Sequence, residues 1–62
     1  TEKELFILKA AAKGYRNKDI AFDLGIAERT VKAHLTNIYN KLAVNTRTEA
    51  VAVALERAWI HL

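Results

Sequence analysis

The 62-residue chain contains no cysteine, no proline and no methionine, and only two glycines. Without cysteine it can form neither a disulfide nor a thiolate metal site. Its longest apolar run, 50–55, is far shorter than the roughly 20 apolar residues needed to cross a bilayer. These absences exclude a disulfide scaffold, a zinc finger and a membrane segment, and the sequence predicts no metal site and no cofactor.

Length sets a second limit, because 62 residues make one domain, 1–62, that buries only about 60% of its unfolded surface. Such a core leaves little material for the walls of an active site. The only histidines, His34 and His61, lie on different predicted elements, and Asp19 and Asp23 have the spacing of solvated carboxylates on a helix. No nucleophile–base or metal-ligand spacing accompanies them. We therefore expect no catalytic residues and no enzyme activity.

The charge balance is basic, with ten Lys and Arg against seven Asp and Glu, a formal net charge of +3. A cationic domain suits a polyanionic partner, because each Lys or Arg that meets a phosphate can release a condensed counterion. The charge alone favours nucleic acid only weakly.

Apolar residues recur at helical spacing and both glycines fall between the periodic segments, which predicts an all-α, four-helix domain. Asp19 stands in the first turn of the second helix, where a carboxylate favours the helix dipole. The predicted helices are Thr1 to Gly14 with a Thr1/Glu4 capping box, Asn17 to Leu24 capped by Asn17, Glu28 to Leu42, and Asn45 or Thr46 to about Ala58.

The second and third helices have the spacing of a helix-turn-helix, in which the second helix of the pair enters the DNA groove. Counting from Asn17, the fifth residue is the small Ala21, the ninth is Gly25 and the fifteenth is the apolar Val31. We expect Gly25 to adopt the left-handed conformation that costs other residues about 1–2 kcal/mol. Ala21 then allows a close crossing, with Val31 packed against it.

Helical geometry divides the third helix into two faces. Val31, Leu35, Ile38 and Leu42 form one stripe and are expected in the core. The opposite face has no carboxylate after Glu28, and we predict that it reads DNA bases in the major groove. Lys32 suits a guanine edge, and Ala33 and the Thr36 methyl suit a thymine methyl. The predicted base-reading residues are Lys32, Ala33, Thr36, Arg29 and Asn37.

Other cations and hydroxyls on either side of this face are expected to hold phosphates, which positions a domain on DNA without reading sequence. The predicted phosphate contacts are Lys18, Thr30, Lys41 and Arg47.

The residues match a known family along the whole chain. The sequence resembles the LuxR/FixJ-type (GerE-like) helix-turn-helix domain, especially that of NarL/FixJ-like response regulators. The matching stretches are 1–4 with 7–8, Gly14, 17–21, 24–26, 28–32 with His34, 37–38, 41–42, Val44 and 47–51.

The resemblance implies a cytoplasmic transcription regulator whose four-helix domain binds pseudo-palindromic double-stranded DNA as a dimer. In response regulators of this family, phosphorylation of an N-terminal receiver domain on aspartate releases the DNA-binding domain. In a quorum-sensing-type branch, a sensor domain binds a small signal instead. RNA polymerase is a further expected partner. Lys32, Ala33 and Thr36 match base-facing positions of the family, and Lys18, Thr30 and Lys41 match backbone-facing ones.

Several residues depart from the family pattern. Phe6 stands where the family has an acid; helical geometry predicts that it is exposed, either as a contact for another domain or as a tolerated change. Arg16 and Ala27 replace the usual capping Ser or Thr of the second and third helices. Ala58 replaces a helix-ending glycine, so the fourth helix is expected to continue to Trp59 or beyond.

The fourth helix has two apolar faces where one suffices for a core. One carries Ala50, Val53 and Ala54. The other suits an isologous contact between two copies of the chain. The predicted dimer interface consists of Thr48, Ala52, Leu55 and Trp59. An alternative remains for Trp59, which could fold back over the core. A helical protein-interaction module remains the alternative to DNA binding for the whole domain.

Overall fold

The computed structural model describes residues 2–61 and contains four α-helices in this range. They are α1 (Glu2–Ala12), α2 (Asn17–Leu24), α3 (Glu28–Leu42) and α4 (Arg47–Glu56). No strand occurs between residues 2 and 61, and none of these helices is long and apolar enough to cross a membrane. The predicted all-α fold is confirmed. The predicted start of α1 at Thr1 lies outside the described residues.

One hydrophobic core joins the four helices and the residues that follow α4. Its buried side chains lie on the inward stripe of each helix, as the helical period requires. Ile7, Ile20 and Val31 are completely inaccessible to solvent. The remaining members of the buried cluster are Leu8, Ala10, Ala21, Leu35, Ile38, Ala50, Ala54 and Ile60. Small alanines on α1, α2 and α4 allow the helices to approach closely around the larger side chains.

All four helices end in the same way, with a residue in the left-handed conformation and two backbone hydrogen bonds that run back into the last turn. In α1, the Tyr15 N–H donates to the Ala10 carbonyl at 3.1 Å and the Gly14 N–H to the Ala11 carbonyl at 3.0 Å. The left-handed residues are Gly14 (φ 85°), Gly25 (φ 67°), Ala43 (φ 57°) and Ala58 (φ 58°). Two glycines and two alanines therefore occupy equivalent positions.

The predicted continuation of the fourth helix through Ala58 is wrong. The helix ends at Glu56, because Ala58 turns into the left-handed conformation (φ 58°). The Trp59 N–H then donates to the Ala54 carbonyl at 2.9 Å. This turn sends the chain back over the domain and buries Ile60, which is 1% exposed. The carbonyls of the last turn are satisfied by this motif without a glycine.

The helix N-termini only partly match the predicted caps. Thr46 caps α4 as expected, since its hydroxyl oxygen accepts from the Glu49 N–H at 3.2 Å. Asn17 was the wrong residue for α2: it is the first helical residue, and Arg16 occupies the cap position. There the Asp19 carboxylate accepts from the Arg16 backbone N–H at 3.3 Å. It thereby satisfies an N–H at the helix start in place of a Ser or Thr cap.

An ion pair links the first helix to the end of the third. The Lys41 ammonium lies 2.9 Å and 3.0 Å from the two carboxylate oxygens of Glu4. This hydrogen-bonded contact favours the ionised carboxylate and lowers the pKa of Glu4 to about 2. Glu4 therefore joins α1 to α3, whereas its predicted capping box with Thr1 lies outside the described residues.

Candidate nucleic-acid interface

The turn between α2 and α3 has the geometry that the sequence predicted. Gly25 adopts φ 67° and ψ 34°, and the Ile26 N–H donates to the Ala21 carbonyl at 3.0 Å. Ala21 and Val31 are both buried, at 5% and 0% exposure. The small side chain on α2 thus allows the close packing of α3, and the two helices form a helix-turn-helix.

The outer side of α3 is exposed along its length. The predicted core stripe is buried at Val31, Leu35 and Ile38, whereas Leu42 is half-buried against the core. The opposite side, which we call the reading face, consists of the exposed residues Arg29, Lys32, Ala33, Thr36 and Asn37. Anchoring one side of α3 in the core leaves the other free to enter a groove.

The reading face carries cationic side chains next to small apolar groups. The Thr36 hydroxyl donates to the Lys32 carbonyl at 3.0 Å, so its proton is used within the helix while the side chain remains exposed. Lys32 is exposed and has no ion pair among residues 2–61. Because no carboxylate follows Glu28 on α3, the face carries donors and methyl groups, which are the kinds of group that recognise base edges.

The structure separates the four predicted phosphate contacts into two groups. Lys18 is exposed in the first turn of α2, and Thr30 is half-buried in the first turn of α3. The Lys41 ammonium is paired with Glu4, although its side chain is 62% exposed. Arg47 is half-buried and donates hydrogen bonds to other parts of the chain. Of the charged candidates, Lys18 is the one whose ammonium has no ion pair or hydrogen bond within residues 2–61.

The predicted dimer interface does not form a single helical face. Thr48 and Ala52 are exposed on α4, and Leu55 is half-buried with its side chain against the core. Trp59 lies beyond the end of α4 and lines a groove formed largely by α1 and α3. In this groove the Arg57 guanidinium lies 5.2 Å from the centre of the Trp59 ring. Trp59 is therefore removed from the proposed α4 surface.

Sequence reasoning missed a hydrogen-bonded bridge made by Arg47. Arg47 Nη1 donates to the Tyr15 carbonyl oxygen at 2.7 Å, and Nη2 donates to Asn17 Oδ1. The partners are 32 and 30 residues away along the chain, so no local spacing indicates the contact. Across residues 2–61, no group of three or more metal-ligating side chains comes together.

Comparison with known proteins agrees with this geometry. The model of the family described as bacterial regulatory proteins, luxR family (GerE), matches residues 1–54. The chain belongs to the luxR family of bacterial regulatory proteins. Its similarity to the helix-turn-helix domain of that family, expected from the sequence, is confirmed.

Relatives of this luxR-family chain include several regulators. It is 63% identical over 57 residues to the transcriptional regulatory protein YdfI of Bacillus subtilis, covering 92% of this chain and 27% of YdfI. It is 48% identical over 61 residues to the response regulator protein VraR of Staphylococcus aureus, covering 98% of this chain and 29% of VraR. The chain thus spans less than a third of the length of these relatives.

A solved structure also resembles this luxR-family chain. The crystal structure of the response regulator ChrA, from a heme-sensing two-component system, superposes with a TM-score of 0.91 at 40% sequence identity. The match covers 97% of this chain and 30% of the ChrA chain. Since the identity is substantial and nearly all of the chain is covered, the similarity extends to the whole four-helix arrangement.

Proposed function

We propose that this domain binds double-stranded DNA in a sequence-specific manner and regulates transcription, with α3 in the major groove. The observation that carries the proposal is the exposure of the reading face opposite the buried stripe of α3. A helix held in this way by a helix-turn-helix places its outer side chains within reach of base edges. The luxR family consists of bacterial regulatory proteins and YdfI is a transcriptional regulatory protein, which supports the assignment.

Within the reading face, Lys32 donates to a guanine edge, while Ala33 and the Thr36 methyl contact thymine methyl groups. Arg29 and Asn37 flank this centre and contact further base edges or the neighbouring phosphates. Outside the face, Lys18 and Thr30 hold phosphates, since each lies in the first turn of a helix, where backbone N–H groups also favour an anion.

We further assign the domain to a response regulator, because VraR and ChrA carry that description and match nearly the whole chain. In this arrangement another domain receives the signal and the present domain is the output. A homodimer formed through the exposed side of α4 at Thr48 and Ala52 would read two half-sites. Their centres would lie about 10 bp apart, or a multiple of that spacing.

The test is a binding titration by fluorescence anisotropy with duplexes selected from a random pool by the wild-type domain. Lys32→Ala is expected to weaken discrimination between selected and scrambled duplexes by roughly 5- to 100-fold, the range for one good base contact. Lys18→Ala is expected to weaken binding to both duplexes alike. It should also reduce the slope of log affinity against log salt by about 0.9, since one phosphate contact is lost.

Lys9→Ala is the matched control, because Lys9 is an exposed lysine on α1 and its removal changes the net charge equally. It should alter affinity and discrimination far less than either test variant. A wild-type domain that ignores duplex DNA at low salt would end the proposal in favour of a protein-interaction module. If Lys32→Ala binds with unchanged discrimination between selected and scrambled duplexes, the assignment of α3 to the major groove is wrong.

A further inference from the structure

The guanidinium of Arg47 connects three parts of the chain. Arg47 is the first residue of α4, and its Nη1 donates to the Tyr15 carbonyl in the loop between α1 and α2 at 2.7 Å. Its Nη2 donates to the side-chain oxygen of Asn17, the first residue of α2. We call these two hydrogen bonds the Arg47 bridge. It joins the start of α4 to the start of α2.

Both ends of the bridge are fixed by their own hydrogen bonds. On the α4 side, the Thr46 hydroxyl donates to the Glu49 carboxylate at 3.1 Å and accepts from the Glu49 N–H at 3.2 Å. On the other side, the Tyr15 N–H is held by the Ala10 carbonyl at 3.1 Å. Because neither anchor is a free loop, breaking the bridge releases a defined restraint on the start of α2.

The bridge supplies a restraint that helix packing alone does not. The tertiary contacts of α2 are made chiefly with α3, whereas α4 packs on α1 and α3. The Arg47 guanidinium crosses from α4 to the end of α2 that carries Lys18, the residue after Asn17. The position of Lys18 relative to the reading face therefore depends on Arg47 as well as on the α2–α3 contact.

We propose that Arg47 is a positioning residue for DNA binding, whose bridge to Tyr15 and Asn17 fixes the start of α2 so that Lys18 meets a phosphate while α3 occupies the groove. The inference rests on the proposed function and changes the role predicted from sequence, in which Arg47 itself contacted a phosphate. It also connects α4, the helix proposed for dimerisation, with a phosphate contact on α2.

A double-mutant cycle distinguishes positioning from direct contact, because residues that act through one another give non-additive effects. The chains to compare are the wild type, Arg47→Gln, Lys18→Ala and the double variant, each titrated with the selected duplex over a range of salt. Arg47→Gln is expected to weaken binding by roughly 3- to 10-fold, within the usual range of coupling between neighbouring residues. In the Lys18→Ala background the same change should cost less than about 2-fold, since the contact that it positions is already absent.

Asn17→Ala provides a second and independent variant. It removes one acceptor of the bridge without removing a cation, so positioning predicts weaker binding in the same direction as Arg47→Gln. A phosphate-contacting Arg47 predicts no loss of affinity for Asn17→Ala. Arg57→Gln is the charge-matched control, because Arg57 lies at the other end of α4 beside Trp59. It should change affinity much less than Arg47→Gln.

Thermal unfolding of each variant separates positioning from general stability. Additive effects of Arg47→Gln and Lys18→Ala, each with its own decrease in salt slope, would overturn the inference in favour of a direct phosphate contact. Lower melting temperatures with unchanged affinity of the folded domains would overturn it in favour of a purely structural bridge. If Arg47→Gln does not fold, the same criteria apply to Asn17→Ala, with its effect on affinity compared between the wild-type and the Lys18→Ala backgrounds. A wild-type domain that does not bind DNA overturns the proposed function and this inference together.

Discussion

The left-handed alanine at the end of α4 makes a quantitative stability prediction. Ala58 has φ 58°, a conformation that Gly25 adopts at the equivalent position of α2 with φ 67°. A residue with a Cβ atom in this conformation is disfavoured by about 1–2 kcal/mol, and glycine is not. Part of the gain is offset, because glycine also increases the entropy of the unfolded chain, which favours unfolding by roughly 0.4–1 kcal/mol. The net expectation for Ala58→Gly is a stabilisation of about 0.5–1 kcal/mol.

The measurement is thermal unfolding followed by circular dichroism, supported by urea titration at 25 °C. For a domain of this size about 1 kcal/mol corresponds to a shift of roughly 4–8 °C in Tm, so Ala58→Gly should raise Tm by about 2–8 °C. Ala43→Gly removes the same strain at the end of α3, where φ is 57°. We expect a similar increase, and the two increases should add, because they act at different helix ends.

Ala52→Gly is the matched control for this experiment. Ala52 is an exposed alanine in the interior of α4, where glycine is worse than alanine by about 0.5–1 kcal/mol. It should therefore lower Tm while Ala58→Gly raises it. If both substitutions lower Tm equally, α4 continues through residue 58 and the left-handed end is incorrect.

Three further predictions concern the ion pair, the core and the dimer. Protonation of Glu4 should cost up to about 1 kcal/mol of folding stability, after allowance for the exposed Lys41 partner. Because the folded pKa is lowered from 4.5 to about 2, this stability is present above pH 4.5 and is lost as the pH falls from 4.5 to about 2. Urea titrations at a series of pH values should show the loss. Glu4→Gln should remove this dependence and Glu2→Gln should retain it, so equal profiles for both variants would contradict the assignment. Ile20→Val should destabilise the domain by about 0.5–1.5 kcal/mol in the same assay, and a smaller cost would indicate looser packing around a side chain with 0% exposure. Ala52→Asp should abolish dimer formation in sedimentation while leaving Tm within a few degrees, whereas an unchanged dimer would place the interface elsewhere.

The structure changes the choice of variant for the dimer test. The predicted dimer interface contains Leu55, so Leu55→Asp is one substitution that would test it. Leu55 is half-buried and packs against the core, so a carboxylate there would disturb folding as well as association. Ala52 lies on the outer side of the same helix and is exposed. Ala52→Asp therefore separates an effect on association from an effect on folding.

The helices and the faces of α3 were predictable because they depend on local periodicity. The spacing of Val31, Leu35 and Ile38 determines one stripe on a helix, and the structure buries all three. Gly25 was predictable for a similar reason, since few other residues adopt a left-handed turn without cost. The end of α4 was not predictable by that rule, because Ala58 accepts the same conformation and the packing of Ile60 compensates for its strain.

The functional assignment of the cations was the part that local pattern could not determine. A helical period fixes the direction of Cβ, but a Lys or Arg side chain extends several bonds further and its charged end goes to whichever acceptor the tertiary fold supplies. The acceptors of Lys41 and Arg47 lie on α1 and at the start of α2, more than 30 residues away for Glu4 and Tyr15. Lys18 and Lys32 have no such acceptor among residues 2–61. The cations that remain unpaired among residues 2–61 are therefore the better candidates for phosphate and base contacts, and the proposed effect of Arg47 on DNA binding is an indirect one, through the position of α2.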